Sequence, residues 1–372
     1  MNHRAGQLHR VRDAFGAGVV LAAGVMVLAS CSTPGASATG ESGGPAIVAT
    51  TTQVGDFTRE LVGDTADVTQ LIAPGLSAHG FDPSAAQLLA LARADALVVN
   101  GAGLESWLDD AVAASGFDGV LVDASTGIDV YGTGDHDERS HGDSATDASH
   151  GHASDDDAEH DDAGHADAGH ADAGHADHDH GDGNPHIWTD PELAGHMVEN
   201  IGAGLAGVPG IDAAAVAASE HAYLERLGAL DDWIEQNVER VPVEQRLLVT
   251  NHDAFTYLLD AYDITYVGSV IPGFDDNAEP SAADIDDLVA KIRATGVRAV
   301  FSEASISAKT AETIAREAGV TVYSGDAALY GDSLGPAGSD GDTYLGSQAN
   351  NARLILESWG LEPSPLPDLL QG

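Results

Sequence analysis

The order of apolar runs along the chain predicts an α/β protein: two parallel-sheet lobes joined by one long rigid helix, with a cleft between the lobes. Three observations carry this. Short β-like runs alternate with helical patterns up to about residue 123, a single amphipathic stretch fills 212–240, and a second alternating series follows Pro242. The first series places strands at 46–51, 68–72, 96–100 and 120–123, with helices at 86–94 and from Leu104 onward. In the amphipathic stretch Val216, Tyr223, Leu224, Leu227, Leu230, Ile234 and Val238 recur mainly at three- and four-residue steps. The second series has strands at 246–250, 265–267, 297–301 and 320–323, helices near 281–294 and 308–317, and a last helix near 344–359.

The first thirty residues read as a leader. His3, Arg4, His9, Arg10 and Arg12 form a basic head, and Ala14 to Leu28 is an apolar run too short for a stable membrane span. The run ends in Leu28-Ala29-Ser30-Cys31, similar to a bacterial lipobox, which makes Cys31 the lipidated first residue of the mature chain. As the single cysteine, it can form neither an internal disulfide nor a thiolate metal site. The expected domains are a leader over 1–30, a flexible tether over 31–45, a first lobe over 46–208, a linking helix over 209–241 and a second lobe over 242–372. Such a protein is exported and held by its lipid on the outer face of the cytoplasmic membrane.

The formal charge is −45, with only two lysines, Lys291 and Lys309. This balance excludes nucleic acid or an anionic membrane surface as a partner and suits a cation. Ten of the seventeen histidines lie between 135 and 183, inside the first lobe: His136, His141, His150, His152, His160, His165, His170, His175, His178 and His180. They alternate with acids and include three Ala-Gly-His-Ala-Asp copies, without the apolar residues that offset the entropy of folding. The segment reads as a disordered, weak auxiliary metal binder.

Four further residues sit where open α/β sheets bind ligands, beyond strand ends. His79 follows the second strand, His186 sits in a proline-flanked turn, His252 follows the fifth strand directly, and Asp332 follows the last. Together they offer a mixed nitrogen and oxygen site at the cleft. Glu303 is a candidate for the shell behind these ligands. His196 and His221 fall within helical patterns, and Trp107 and Trp188 read as packing residues. Gly202 to Gly207 matches a dinucleotide fingerprint by letters but lies in a helical stretch, which removes the required strand-to-helix context. No nucleophile and base pair is evident, so the chain is not expected to be an enzyme.

The strings Ile47-Val48-Ala49-Thr50-Thr51, His79-Gly80-Phe81-Asp82-Pro83, Gly103-Leu104-Glu105-Ser106-Trp107, Pro185-His186-Ile187-Trp188, Asn251-His252-Asp253-Ala254-Phe255 and Phe301-Ser302-Glu303 together resemble the metal-binding solute-binding lipoproteins of zinc/manganese ABC transporters. The resemblance spans nearly all of 46–360 except the His/Asp segment, whose position is similar to the His-rich insertion of zinc-specific members. It differs at Ser77-Ala78, where many members carry Asp-Pro. It implies His79, His186, His252 and Asp332 as ligands of a transported Zn²⁺. Manganese-type members carry a carboxylate in place of the third histidine, so His252 favours zinc. The implied partners are an ABC permease and its ATPase, with a monomeric receptor touching the membrane through its lipid alone. A manganese or iron receptor of the same class stays open, as does a surface zinc store or adhesin acting through the histidine-rich segment. A hydrolytic metalloenzyme is disfavoured, because four protein ligands leave no position for water.

Overall fold

Strand β1 (Ala46–Ala49) is a continuous apolar run, as expected of a strand covered on both faces, and Ile47, Val48 and Ala49 are buried. The computed structural model describes residues 43–131, 183–274, 276 and 278–371. The leader, Cys31, most of the tether and all ten histidines of the 135–183 segment lie outside the described residues.

β1 pairs in parallel with β2 (Asp67–Gln70) and β3 (Ala96–Val99), and β3 pairs with β4 (Val120–Asp123), giving the order β2-β1-β3-β4. Four helices accompany this sheet. α1 (Thr52–Val62) is capped by the Thr51 side chain, and α2 (Ala85–Leu91) by a Ser84–Gln87 capping box. α3 (Leu108–Ser115) ends at left-handed Gly116, and α4 (Pro191–Leu205) starts from an Asp190 cap with proline in its first turn. The helix expected from Leu104 therefore opens four residues later. The intervening turn is held by Glu105, whose carboxylate accepts from the backbone N–H of Asn100 at 2.8 Å and of Gly101 at 3.1 Å. The dinucleotide-like glycines fall at the end of α4, not between a strand and a helix.

The long helix α5 (Ala213–Val238) packs along α1 and α4. It buries Val216, Tyr223, Leu227, Leu230, Ile234 and Val238, each worth about 1.5–3 kcal/mol relative to exposure. Beyond it come β5 (Leu247–Thr250), α6 (Thr256–Ala261), β6 (Thr265–Ser269), α7 (Ala282–Thr295), β7 (Ala299–Phe301), α8 (Lys309–Ala318), β8 (Thr321–Tyr323) and α9 (Tyr344–Trp359). β5 pairs in parallel with β6, β7 with β8, and β5 lies beside β7. Val249, Val267, Ile292, Val300 and Ile314 form a separate apolar cluster in this half. α9 touches both halves. The Tyr344 N–H donates to Asp56 of α1 at 2.9 Å, and Trp359 Nε1 donates to the Leu247 carbonyl of β5 at 2.9 Å. Both halves are thus parallel α/β layers, and among the described residues no helix is long and apolar enough to cross a membrane.

Candidate metal centre

Each of the four side chains expected at the cleft hangs from a short, braced turn. His79 lies beyond β2; its N–H donates to Ser77 Oγ at 3.2 Å, and Trp107 Nε1 holds the preceding Ala78 carbonyl at 3.0 Å. His186 caps a single 3₁₀ turn, Ile187–Thr189, while Asn100 Nδ2 donates to the Pro185 carbonyl at 3.2 Å. His252 directly follows β5 by two residues, and its carbonyl accepts from Thr250 Oγ1 at 2.7 Å. Asp332 sits between Gly331, whose carbonyl accepts from Gln53 Nε2 and Trp188 Nε1, and Ser333-Leu334, bonded to Gly75 and Thr52.

These turns bring the four ligand atoms within 4.8 Å of one another. His79 Nε2 is 3.2 Å from His186 Nε2, which is 3.3 Å from His252 Nε2. Asp332 Oδ1 lies 2.9 Å from His186 Nε2, 3.2 Å from His252 Nε2 and 4.0 Å from His79 Nε2. An ion about 2.0–2.1 Å from four tetrahedral donors requires donor–donor edges of about 3.3 Å. Five edges of the set run from 2.9 to 4.0 Å and bracket that length, so the donor set could close on such a cation. His186, His252 and Asp332 are fully buried, while the His79 side chain keeps 8% exposure and marks the open side.

Behind the ligands, Glu303 Oε1 lies 2.7 Å from His252 Nδ1, and Asn184 Oδ1 lies 2.6 Å from His186 Nδ1. The second oxygens of Asp332 and Glu303 are buried without a hydrogen-bond partner among the described residues. Burial above all, aided by His252 and His79, drives the His186 imidazole down to about 4, with Asp332 opposing only in part. At His252 burial also acts downward, but Glu303 and Asp332 on either side outweigh it and raise the imidazole. Burial pushes Asp332 up, but His252 and His186 hold it well below the ordinary carboxylate range; burial raises Glu303. The two flanking carboxylates thus favour a proton on His252 over one on Asp332, and a divalent ion bound through these groups would compete with that proton.

His196 and His221 are exposed beside Glu199 and Glu225, one helical turn away. Trp107 and Trp188 both pack, with Phe81 and with His186, and both hold backbone carbonyls of the site. Asn184 and Gly331 were not singled out from the sequence. Asn184 had one local signal, a polar residue two before His186; Gly331 had none, because its neighbours are distant in sequence.

A parallel two-half α/β fold that brings three imidazoles and a carboxylate together offers a set of residues that could hold a metal ion. The family model described as zinc-uptake complex component A, periplasmic, matches residues 47–358. The chain belongs to this family of metal-binding solute-binding proteins of ABC transporters, which are receptors and not enzymes. It is 29% identical over 332 residues to the zinc-binding protein AdcA of Streptococcus pyogenes serotype M3, covering 87% of this chain and 58% of that one. The chain thus spans little more than half the length of that relative. It is 24% identical to the manganese-binding lipoprotein MntA of Halalkalibacterium halodurans, covering 88% of this chain and 92% of that protein. The periplasmic zinc binding protein TroA from Treponema pallidum has the same fold, with a TM-score of 0.67, 23% identity, and coverage of 85% of this chain and 99% of that one.

Proposed function

We propose that the chain is an extracytoplasmic receptor that captures Zn²⁺ through His79, His186, His252 and Asp332 and delivers it to an ABC permease with its ATPase. The observation that carries the choice of metal is the His252 imidazole, which makes the donor set three nitrogens and one oxygen. Three nitrogens and one oxygen suit a borderline ion, whereas manganese prefers more oxygen and a larger coordination number. The names of the relatives include both metals, which makes the preference a matter for direct competition.

Equilibrium dialysis against equimolar zinc and manganese tests the reading. One equivalent of tight zinc should be retained in preference to manganese, and His252→Glu should move the preference toward manganese. Retention of manganese by the unaltered protein would overturn the choice of metal. The 135–183 histidines serve in this reading as a weak antechamber that raises the local zinc concentration, and Cys31 carries the lipid that holds the receptor at the membrane.

A further inference from the structure

We propose that Asn184 is a positioning residue for metal capture: its side-chain oxygen fixes the tautomer of His186 so that Nε2 presents a bare lone pair to the site. The inference rests on the metal-binding reading above. Asn184 is fully buried, and its hydrogen-bonding groups are engaged on every side. Its backbone N–H donates to the Tyr131 carbonyl at 2.9 Å, and its carbonyl accepts from Tyr257 Oη at 2.5 Å. The amide nitrogen donates to the Asp253 carbonyl at 2.7 Å and to Thr256 Oγ1 at 2.8 Å. The amide oxygen accepts from the His186 backbone N–H at 3.1 Å and faces His186 Nδ1 at 2.6 Å.

This network admits one orientation of the amide. Thr256 spends its hydroxyl proton on Asp253 Oδ1 at 2.8 Å, so its oxygen must accept from Asn184. Turning the amide over would set oxygen against the Asp253 carbonyl and N–H against the His186 N–H, leaving buried groups unsatisfied on both sides. The oxygen therefore points at His186 Nδ1, which can only donate to it. The ring proton therefore has two acceptors to choose between, Asn184 Oδ1 at Nδ1 and Asp332 Oδ1, 2.9 Å from Nε2; Asn184 draws it to Nδ1, and a cation bound to Asp332 withdraws the competitor and leaves Nε2 bare. Asn184 also joins the His186 turn to the backbone just after His252, and so helps set the spacing of two ligands.

Three variants separate positioning from mere support. Asn184→Ala removes the acceptor; Asn184→Asp keeps it while giving up the donor to Asp253; Thr256→Val weakens the same network without touching the oxygen. Long-range proton–nitrogen spectra of the metal-free, histidine-labelled proteins should show a larger share of the Nδ1–H form of His186 in the wild type, Asn184→Asp and Thr256→Val than in Asn184→Ala. In Asn184→Ala, with Asp332 the remaining acceptor, the Nε2–H form should predominate. Zinc affinity by chelator competition should fall about 10–100-fold in Asn184→Ala, and by less than about 3-fold in Thr256→Val, whose loss is chiefly of thermal stability. If Asn184→Ala does not fold, Asn184→Ser, whose hydroxyl is too short to reach the ring, carries the same expectation. An unchanged tautomer and affinity in the Ala or Ser variant, or an equal affinity loss in Thr256→Val, would overturn the inference. The tautomer is read without metal, so a wild type that bound no zinc would fail the metal reading and leave this test standing.

Discussion

His252 and His186 show how the same side chain is set to different states by what stands behind it. His252 has a carboxylate at Nδ1 and another beyond Nε2, and its imidazole is raised; His186 has a neutral amide at Nδ1, and burial takes it to about 4. Replacing the carboxylate with an amide should make His252 a poorer donor. Glu303→Gln is expected to lower zinc affinity about 10–100-fold, measured by chelator competition, with unchanged stoichiometry. A different carboxylate bears on how stability changes with pH. Asp56, 8% exposed beneath the start of α9, is raised to about 6, first by burial and further by Glu60, against the Tyr344 N–H. Its folded pKa lies above its unfolded value of about 3.9, so the native state holds the extra proton between those two points. The stability this gives is present below about pH 4 and is lost as pH rises through 6. Asp56→Asn should accordingly reduce the fall in Tm between pH 5 and pH 8, followed by thermal melts of the metal-free protein.

At the level of elements, the apolar runs of β1, β3 and β5 and the three- and four-residue rhythm of α5 were legible because each buries a continuous face. α1 was not. Seven of its residues from Thr52 to Thr58 are buried, polar and apolar alike, which erases the contrast on which periodicity depends. α6 has six residues, too few for a repeating pattern. Site residues at strand ends could be read for the same reason as the strands themselves, whereas Asn184 and Gly331 work through partners tens to hundreds of positions away. The 132–182 segment enters and leaves at neighbouring points, since the Asn184 N–H is bonded to the Tyr131 carbonyl. Removal of 136–182 should leave one tight zinc equivalent with near-normal affinity, abolish the weaker equivalents, and slow growth only when zinc is scarce. Isothermal titration of the deletion variant is the direct measurement; loss of the tight equivalent would shift the function to the histidine-rich segment.

For the whole molecule, the proposed export and anchoring rest on the leader sequence and Cys31, distant in sequence from the proposed metal ligands. Labelling cells with radioactive palmitate should mark the full-length protein and leave Cys31→Ala unmarked, with the variant released from the membrane fraction at unchanged zinc affinity. An unlabelled wild type would remove the anchor from the proposal. The bond between Asn184 and Tyr131 has a further consequence. Because it joins two residues that flank the histidine-rich span, a change in the length of that span need not move the turn that carries His186. The three Ala-Gly-His-Ala-Asp copies are units in which such growth would occur. On the proposed reading, how much zinc the receptor gathers and how tightly it grips one ion are separately heritable traits, free to drift apart as lineages meet richer or poorer surroundings.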